Sequence, residues 1–260
     1  TKQASIEFYH SPYIEYVISI FMFVSGINFT LLLLFVNGKF RKFIHDAELK
    51  WYLWSVIGFT AFIAIVLYYN SSMGVEEAFR KSLFQVASLH TSTGFATADY
   101  MTWPSVLWGT LTVIMIIGAC AGSTTGGMKC IRLLILAKIS RNEFKHITHP
   151  NAVLPVRVNK QVISPSIRST VLAFSFLYAV LIIVGTLAMM GMGVGLLESL
   201  GCTISSLGNM GPGLGLCGPA YSWNELPDMG KWLMSFFMLL GRLELFTVLL
   251  LFSSDFWKKN

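Results

Sequence analysis

Residues 78–94 read AFRKSLFQVASLHTSTG, and residues 195–211 read GLLESLGCTISSLGNMG. Laid together without a gap, they align Ser82 with Ser199, Leu83 with Leu200, Ser88 with Ser205 and Gly94 with Gly211. Each is a semi-polar stretch running into a Gly/Thr/Asn-rich loop. A helix of this kind is too short and too polar to cross a bilayer, which takes about 20 apolar residues. Internal repeats decide architecture before motifs do, and this one points to paired re-entrant helices.

Working outward, the apolar block 51–69 precedes the first stretch and a block at about 168–190 precedes the second. Blocks 105–121 and 232–252 follow them, and a further block, 14–36, lies near the start of the chain. Three segments run from a proline to a glycine fourteen positions on: Pro12 to Gly26, Pro104 to Gly118 and Pro227 to Gly241. Proline suits a first helical turn, where its missing N–H costs nothing, so these read as helices leaving the outer side. The unit is therefore a spanning helix, a re-entrant helix, a loop and an exit helix. The expected fold is an all-α integral membrane protein built of such units around a pseudo-four-fold pore. About two and a half of four units are present: an exit helix with its loop in 1–50, a third unit in 51–165 and a fourth in 166–260.

Composition agrees. Hydrophobic residues make up 54% of 260, charged residues 12%, and the mean hydropathy is +0.64. Soluble domains are about a quarter charged. Period-two alternation of the kind a membrane barrel needs is not found. The net charge of +6 is spread along the chain rather than interleaved with stacking aromatics, so nucleic acid is not an expected partner. Lys39, Arg41, Lys42 and Lys50 follow the first block, and Lys138, Arg141, Lys145, Arg157, Lys160 and Arg168 lie between the third and fourth. Lys258 and Lys259 follow the last block, whereas 70–103 and 193–231 hold only Arg80, Lys81 and Lys231. The positive-inside rule then places 37–50, 138–168 and the C-terminus in the cytoplasm. Cys120, Cys130, Cys202 and Cys217 show neither metal-ligand nor CxxC spacing and read as small membrane-buried residues. The first residue is Thr1 and no signal peptide is readable, so a longer parent protein is expected.

A re-entrant helix points its C-terminal partial negative charge toward the membrane centre. The loop after it exposes carbonyls that replace the hydration shell of a cation. Glycine is needed there because carbonyls can converge on one axis only if some residues take unusual φ/ψ.

The exit segment of the third unit carries a second signal. After Gly118 come Ala119, Cys120 and Ala121, then Gly122, Ser123, Thr124, Thr125, Gly126 and Gly127. Three glycines, each costing about 1 kcal/mol in a helix, and three hydroxyl residues predict an unwound loop lining the cavity below the filter. A kink or a close small-residue helix contact is the alternative. Met128 separates Gly127 from Lys129 and no Ser or Thr follows, so this is not a phosphate-binding loop. Arg242 lies one position after Gly241 in an apolar helix. A central arginine costs about 2.5–3.5 kcal/mol, so it should face the cavity beside that loop; pairing with Glu244 or with helix carbonyls is the alternative. Asp99, Glu225 and Asp228 suit either helix caps or cation attraction, and His90 suits packing. Segment 141–165 reads as a regulator-docking surface or a solvated loop.

These features resemble the TrkH/KtrB/HKT superfamily of potassium transporters, its TrkH branch above all. The motifs are TSTGF at 91–95, GNMGPGLG at 208–215, SGINFTLLL at 25–33, GACAGSTTGGMKCIR at 118–132 and GRLELFTVLLLF at 241–252. The resemblance implies a selectivity filter formed by Thr91, Ser92, Thr93, Gly94 and Phe95 in one unit and by Gly208, Asn209, Met210 and Gly211 in the other. It implies K⁺ held by backbone carbonyls of Thr93, Gly94, Met210 and Gly211, with no bound cofactor. It also implies a gate at Gly122 to Gly127 with Arg242, a missing N-terminal half, a homodimer in the inner membrane, and a TrkA-like cytosolic nucleotide-binding ring. Pro212 stands where the third unit has Phe95, so the symmetry is imperfect. A secondary carrier working by alternating access is the alternative function. No HExxH, Ser/His/Asp set or intramembrane carboxylate pair suggests an enzyme.

Overall fold

The computed structural model describes residues 5–152, 154–251 and 254–257; Lys258 and Lys259 lie outside the described residues. Among the described residues, two helices are long and apolar enough to cross a membrane: α4, Ala47–Asn70, and α8, Pro165–Gly191. Each begins on a capping side chain that satisfies an otherwise orphaned amide. Asp46 accepts from the Leu49 amide at 2.9 Å and Ser164 from the Ile167 amide at 3.3 Å.

The other helices follow from the repeat. The first exit segment forms α1, Pro12–Ser25, and α2, Phe29–Val36, followed by the short α3, Phe40–Ile44. After α4 come the re-entrant helix α5, Val75–His90, the exit helix α6, Ser105–Ile116, and α7, Cys130–Thr148. After α8 come the re-entrant helix α9, Leu196–Gly208, the exit helix α10, Asp228–Arg242, and α11, Leu245–Leu250; α12 is Ser254–Trp257. Among the described residues, two pairs of two-residue strands form minute sheets. Strands β1, Ile117–Gly118, and β2, Met128–Lys129, run parallel, while β3, Arg157–Val158, and β4, Gln161–Val162, form a hairpin. The fold is an all-helical membrane fold.

Helix α5 packs against α1, α4 and α6, and α9 packs against α6, α8 and α10. The re-entrant helices are thus enclosed by protein, which is the condition for polar backbone at that depth. One hydroxyl on each turns back onto the helix itself: Ser82 Oγ donates to the Ala78 carbonyl at 2.6 Å and Thr203 Oγ1 to that of Ser199 at 2.7 Å. Apolar side chains facing away from the bundle, such as Trp54, Phe176 and Trp232, are exposed, as a lipid-facing surface requires.

Two expectations need correction. Blocks 14–36 and 232–252 are not continuous helices. Helices α1 and α2 meet at 103°, and α10 gives way to α11 across Leu243 and Glu244, where Glu244 has φ +63°. The first break is stabilised from outside the segment. The Gly26 carbonyl accepts the Cys120 amide at 3.1 Å, the Phe29 amide donates to the Gly122 carbonyl at 3.2 Å, and Asn28 caps α2 through the Thr30 amide at 2.8 Å. A side chain at Gly26 would sit 2.5 Å from the Tyr52 hydroxyl, so only glycine fits there. The cysteines also differ from expectation. Cys120 and Cys130 are free and buried, but Cys202 and Cys217 form a disulfide across 15 residues. The segment after Gly211 folds back onto α9 so closely that a Cβ at Gly201 would meet the Leu214 amide nitrogen. That approach brings the two sulfurs together.

Candidate ion pathway and intramembrane loop

The ends of α5 and α9 close with the same backbone bonds. The Thr93 amide donates to the Ser88 carbonyl at 2.9 Å, and its counterpart Met210 donates to Ser205 at 3.1 Å. The Ser92 amide reaches Leu89 at 3.3 Å, and Asn209 reaches Ser206 at 3.1 Å. These are the two bonds of a Schellman closure, with Ser92 and Asn209 both left-handed at φ +53°. Two residues later Gly94 and Gly211 also have positive φ, +78° and +101°. The gap-free alignment of the two stretches therefore holds bond by bond.

After these closures the backbone turns outward. Among the described residues, no donor reaches the carbonyls of Thr93, Gly94, Met210 or Gly211. Thr93, Gly94 and Phe95 line one outer cavity of about 370 Å³ together with Gly211 and Pro212. The two loops touch: a Cβ at Gly94 would lie 2.0 Å from the Met210 carbonyl oxygen. Side chains brace the third-unit loop, with Thr91 Oγ1 2.8 Å from Thr93 Oγ1 and Ser88 Oγ donating to the Phe95 carbonyl at 2.5 Å. Asn209 Nδ2 instead reaches the Met238 carbonyl on α10 at 3.0 Å. His90 is fully buried, 2.9 Å from Ser55 Oγ, and packs on Tyr52. Asp99 caps the Met101 amide, and Asp228 pairs with Lys231.

Beside the C-terminal end of α9 lies the loop between β1 and β2. Gly126 is pressed against the end of α9, where a Cβ would stand 2.5 Å from the Gly208 carbonyl oxygen. Gly122 and Gly127 both have positive φ. Ser123 Oγ donates to the Cys120 carbonyl at 2.7 Å and lies 2.5 Å from Thr125 Oγ1. Arg242 Nη1 donates to the Thr124 carbonyl at 2.8 Å, so the arginine is attached to the loop and not to Glu244. Glu244 pairs with Arg132 at 3.0 Å, whose guanidinium lies 3.9 Å over the Phe174 ring.

The sequence reading missed Glu48. It is buried at the start of α4, and its Oε1 accepts the Ala121 amide at 2.5 Å and the Ile131 amide at 3.2 Å. One carboxylate thus joins the loop to the N-terminal turn of α7. Outside itself the loop is attached to Glu48 of α4, to Arg242 of α10, to the break between α1 and α2, and to the first residue of α7, whose Cys130 amide donates to the Ala119 carbonyl at 3.0 Å.

Comparison with known proteins places this geometry. The profile of TrkH, described as a cation transport protein, matches residues 1–259. The Trk system potassium uptake protein TrkH of Halomonas elongata is 34% identical over 262 residues, 100% of this chain and 54% of that protein. The Trk system potassium uptake protein TrkG of Escherichia coli K12 is 34% identical over 259 residues, 99% of this chain and 53% of that protein. The crystal structure of the potassium transporter TrkH from Vibrio parahaemolyticus superposes with a TM-score of 0.91 at 32% identity, over 98% of this chain and 55% of that one. The chain spans about half the length of the curated relatives it matches.

Proposed function

The chain belongs to the TrkH family of cation transport proteins, and from that premise we propose that it supplies two filter-bearing units, and the exit helix of another, to a pore for potassium uptake across the inner membrane. One observation supports this reading above the rest. Two loops of different sequence end their helices with the same bonds and leave the Thr93, Gly94, Met210 and Gly211 carbonyls without donors. Such carbonyls substitute for the water around a desolvated cation, and the C-terminal ends of α5 and α9 add their partial negative charge.

The loop 122–127 is the gate of this reading. It sits against the fourth filter and carries the Arg242 charge beside it. A fixed positive charge in a low-dielectric passage raises the barrier to a cation. Opening requires the loop to leave Gly208, Thr124 to release Arg242, and Ala121 to release Glu48. A second copy of the pore protein and a TrkA-like nucleotide-binding ring on the cytoplasmic side complete the proposed assembly.

The test is ⁸⁶Rb⁺ uptake into liposomes by the full-length protein containing this sequence. Arg242→Ala should raise uptake at least about tenfold, the equivalent of one charge-assisted hydrogen bond of about 1.5 kcal/mol. Gly94→Ser should abolish the preference for Rb⁺ over Na⁺. The breaks at 26–28 and 243–244 also suit a carrier with discontinuous helices. Intact selectivity in Gly94→Ser would favour that carrier.

A further inference from the structure

A basic pocket lies where α7 leaves the bundle. Lys138, Arg141 and Lys145 recur at a spacing that puts them on one helical face, and the β3–β4 hairpin lays Arg157 against them. Lys138 Nζ donates to the Arg157 carbonyl at 2.7 Å, and Asn142 Nδ2 holds the Leu154 carbonyl at 3.1 Å. Two separate elements are thus fastened so that their cations converge on one hollow of about 250 Å³, with Pro155 and Val156 as its wall.

No acidic side chain lines this hollow. Among the described residues, none of its four cations is in an ion pair, whereas Arg80, Lys81, Arg132 and Lys231 all are. Four like charges held together without a counter-charge repel one another, and the arrangement is relieved by an anion. Two guanidinium forks and two ammonium groups suit tetrahedral, multiply charged oxygens.

The hairpin also fixes the depth of the pocket. Asn159 Nδ2 donates to Asp46 at 2.6 Å and its Oδ1 accepts the Ala47 amide at 2.8 Å, so the hairpin is tied to the first residues of spanning helix α4. Spanning helix α8 begins three residues beyond the hairpin. The pocket therefore stands at the edge of the hydrocarbon layer, within reach of lipid headgroups. A second hollow of about 400 Å³ adjoins it across Asn142, Pro155 and Val156, and Ile139, Leu154 and Ile163 give it an apolar wall.

We propose that Lys138, Arg141, Lys145 and Arg157 form a binding site for a phosphate-bearing anion, either the headgroup of an anionic phospholipid or a soluble polyphosphate. The site is independent of ion conduction, and its test reads binding alone. The full-length protein would be placed in phosphatidylcholine nanodiscs. In one arm, phosphatidylglycerol is added and the amount co-purifying per protein is measured by mass spectrometry. In the other, binding of ³²P-labelled pyrophosphate is measured without anionic lipid. The variant Arg141→Gln with Lys145→Gln is compared with Lys39→Gln with Lys42→Gln, which removes two cations from another loop.

At least a fivefold loss in the pocket variant, with the control unchanged, is expected in one arm. Loss in the lipid arm alone identifies a headgroup site, and loss in the pyrophosphate arm identifies a soluble ligand. Equal behaviour of both variants in both arms, or no binding by the wild type in either, overturns the proposal.

Discussion

The loops that follow α5 in the third unit and α9 in the fourth reach one backbone conformation by different means. The third is secured by hydroxyls, through Ser88 on the Phe95 carbonyl and Thr91 on Thr93. The fourth has Pro212 in place of Phe95, and Ser205, the counterpart of Ser88, finds no partner for its Oγ among the described residues. Its support comes from the Asn209 contact with α10 and from the Cys202–Cys217 bond, which ties α9 to the returning chain. Backbone geometry is thus shared between the loops, while the side chains that enforce it are free to differ.

The two glycines sharpen this contrast. Gly94 is constrained twice, by φ +78° and by the Met210 carbonyl 2.0 Å from where a Cβ would stand. Gly211 is constrained by φ +101° alone, with nothing within 4 Å of its Cβ position. Gly94→Ala should therefore have the largest effect, reducing the Rb⁺ over Na⁺ preference at least tenfold, because the Met210 carbonyl must move. Gly211→Ala should cost about 1–2 kcal/mol of backbone strain and leave partial selectivity. Equal loss in both would mean that contact between the loops does not matter.

Next in size is the disulfide. Closing a loop of about 15 residues stabilises by roughly 3 kcal/mol in the chain-entropy account. Cys202→Ser with Cys217→Ser should lower the thermal midpoint in detergent by several degrees. A reductant should do the same to the wild type and nothing to the double variant. A midpoint unmoved by either treatment would show that the fourth loop does not depend on the bond.

The smallest effect separates the two serines. Ser88→Ala removes a made hydrogen bond and should cost about 1 kcal/mol, whereas Ser205→Ala should cost close to nothing. Chemical denaturation of the two variants side by side checks this, and a larger loss from Ser205→Ala would reverse the assignment.

The matching loops after α5 and α9 were legible because the repeat is gap-free and glycine is needed at fixed positions within it. Arg242 was legible because a charge in an apolar helix demands an explanation. Glu48 was not: beside the cap Asp46 it reads as an ordinary first-turn acid favoured by the helix dipole. Its partner Ala121 is 73 residues away. The break at 26–28 was hidden for a similar reason. Local apolar character favours a continuous helix there, and the groups that accept the broken ends lie on the third unit's loop. The disulfide required knowing that Leu214 lies against Gly201, a packing fact with no signature in cysteine spacing.

The near-contact between Gly126 and the Gly208 carbonyl has a thermodynamic consequence. Under the proposed gate, an ion occupying the fourth filter and a loop moving below it alter the same stretch of backbone. Coupling free energies are reciprocal. Whatever factor bound cation contributes to loop release, release must return to cation affinity. External potassium would then act as an effector as well as cargo, and the concentration that half-saturates uptake would move in step with the open fraction.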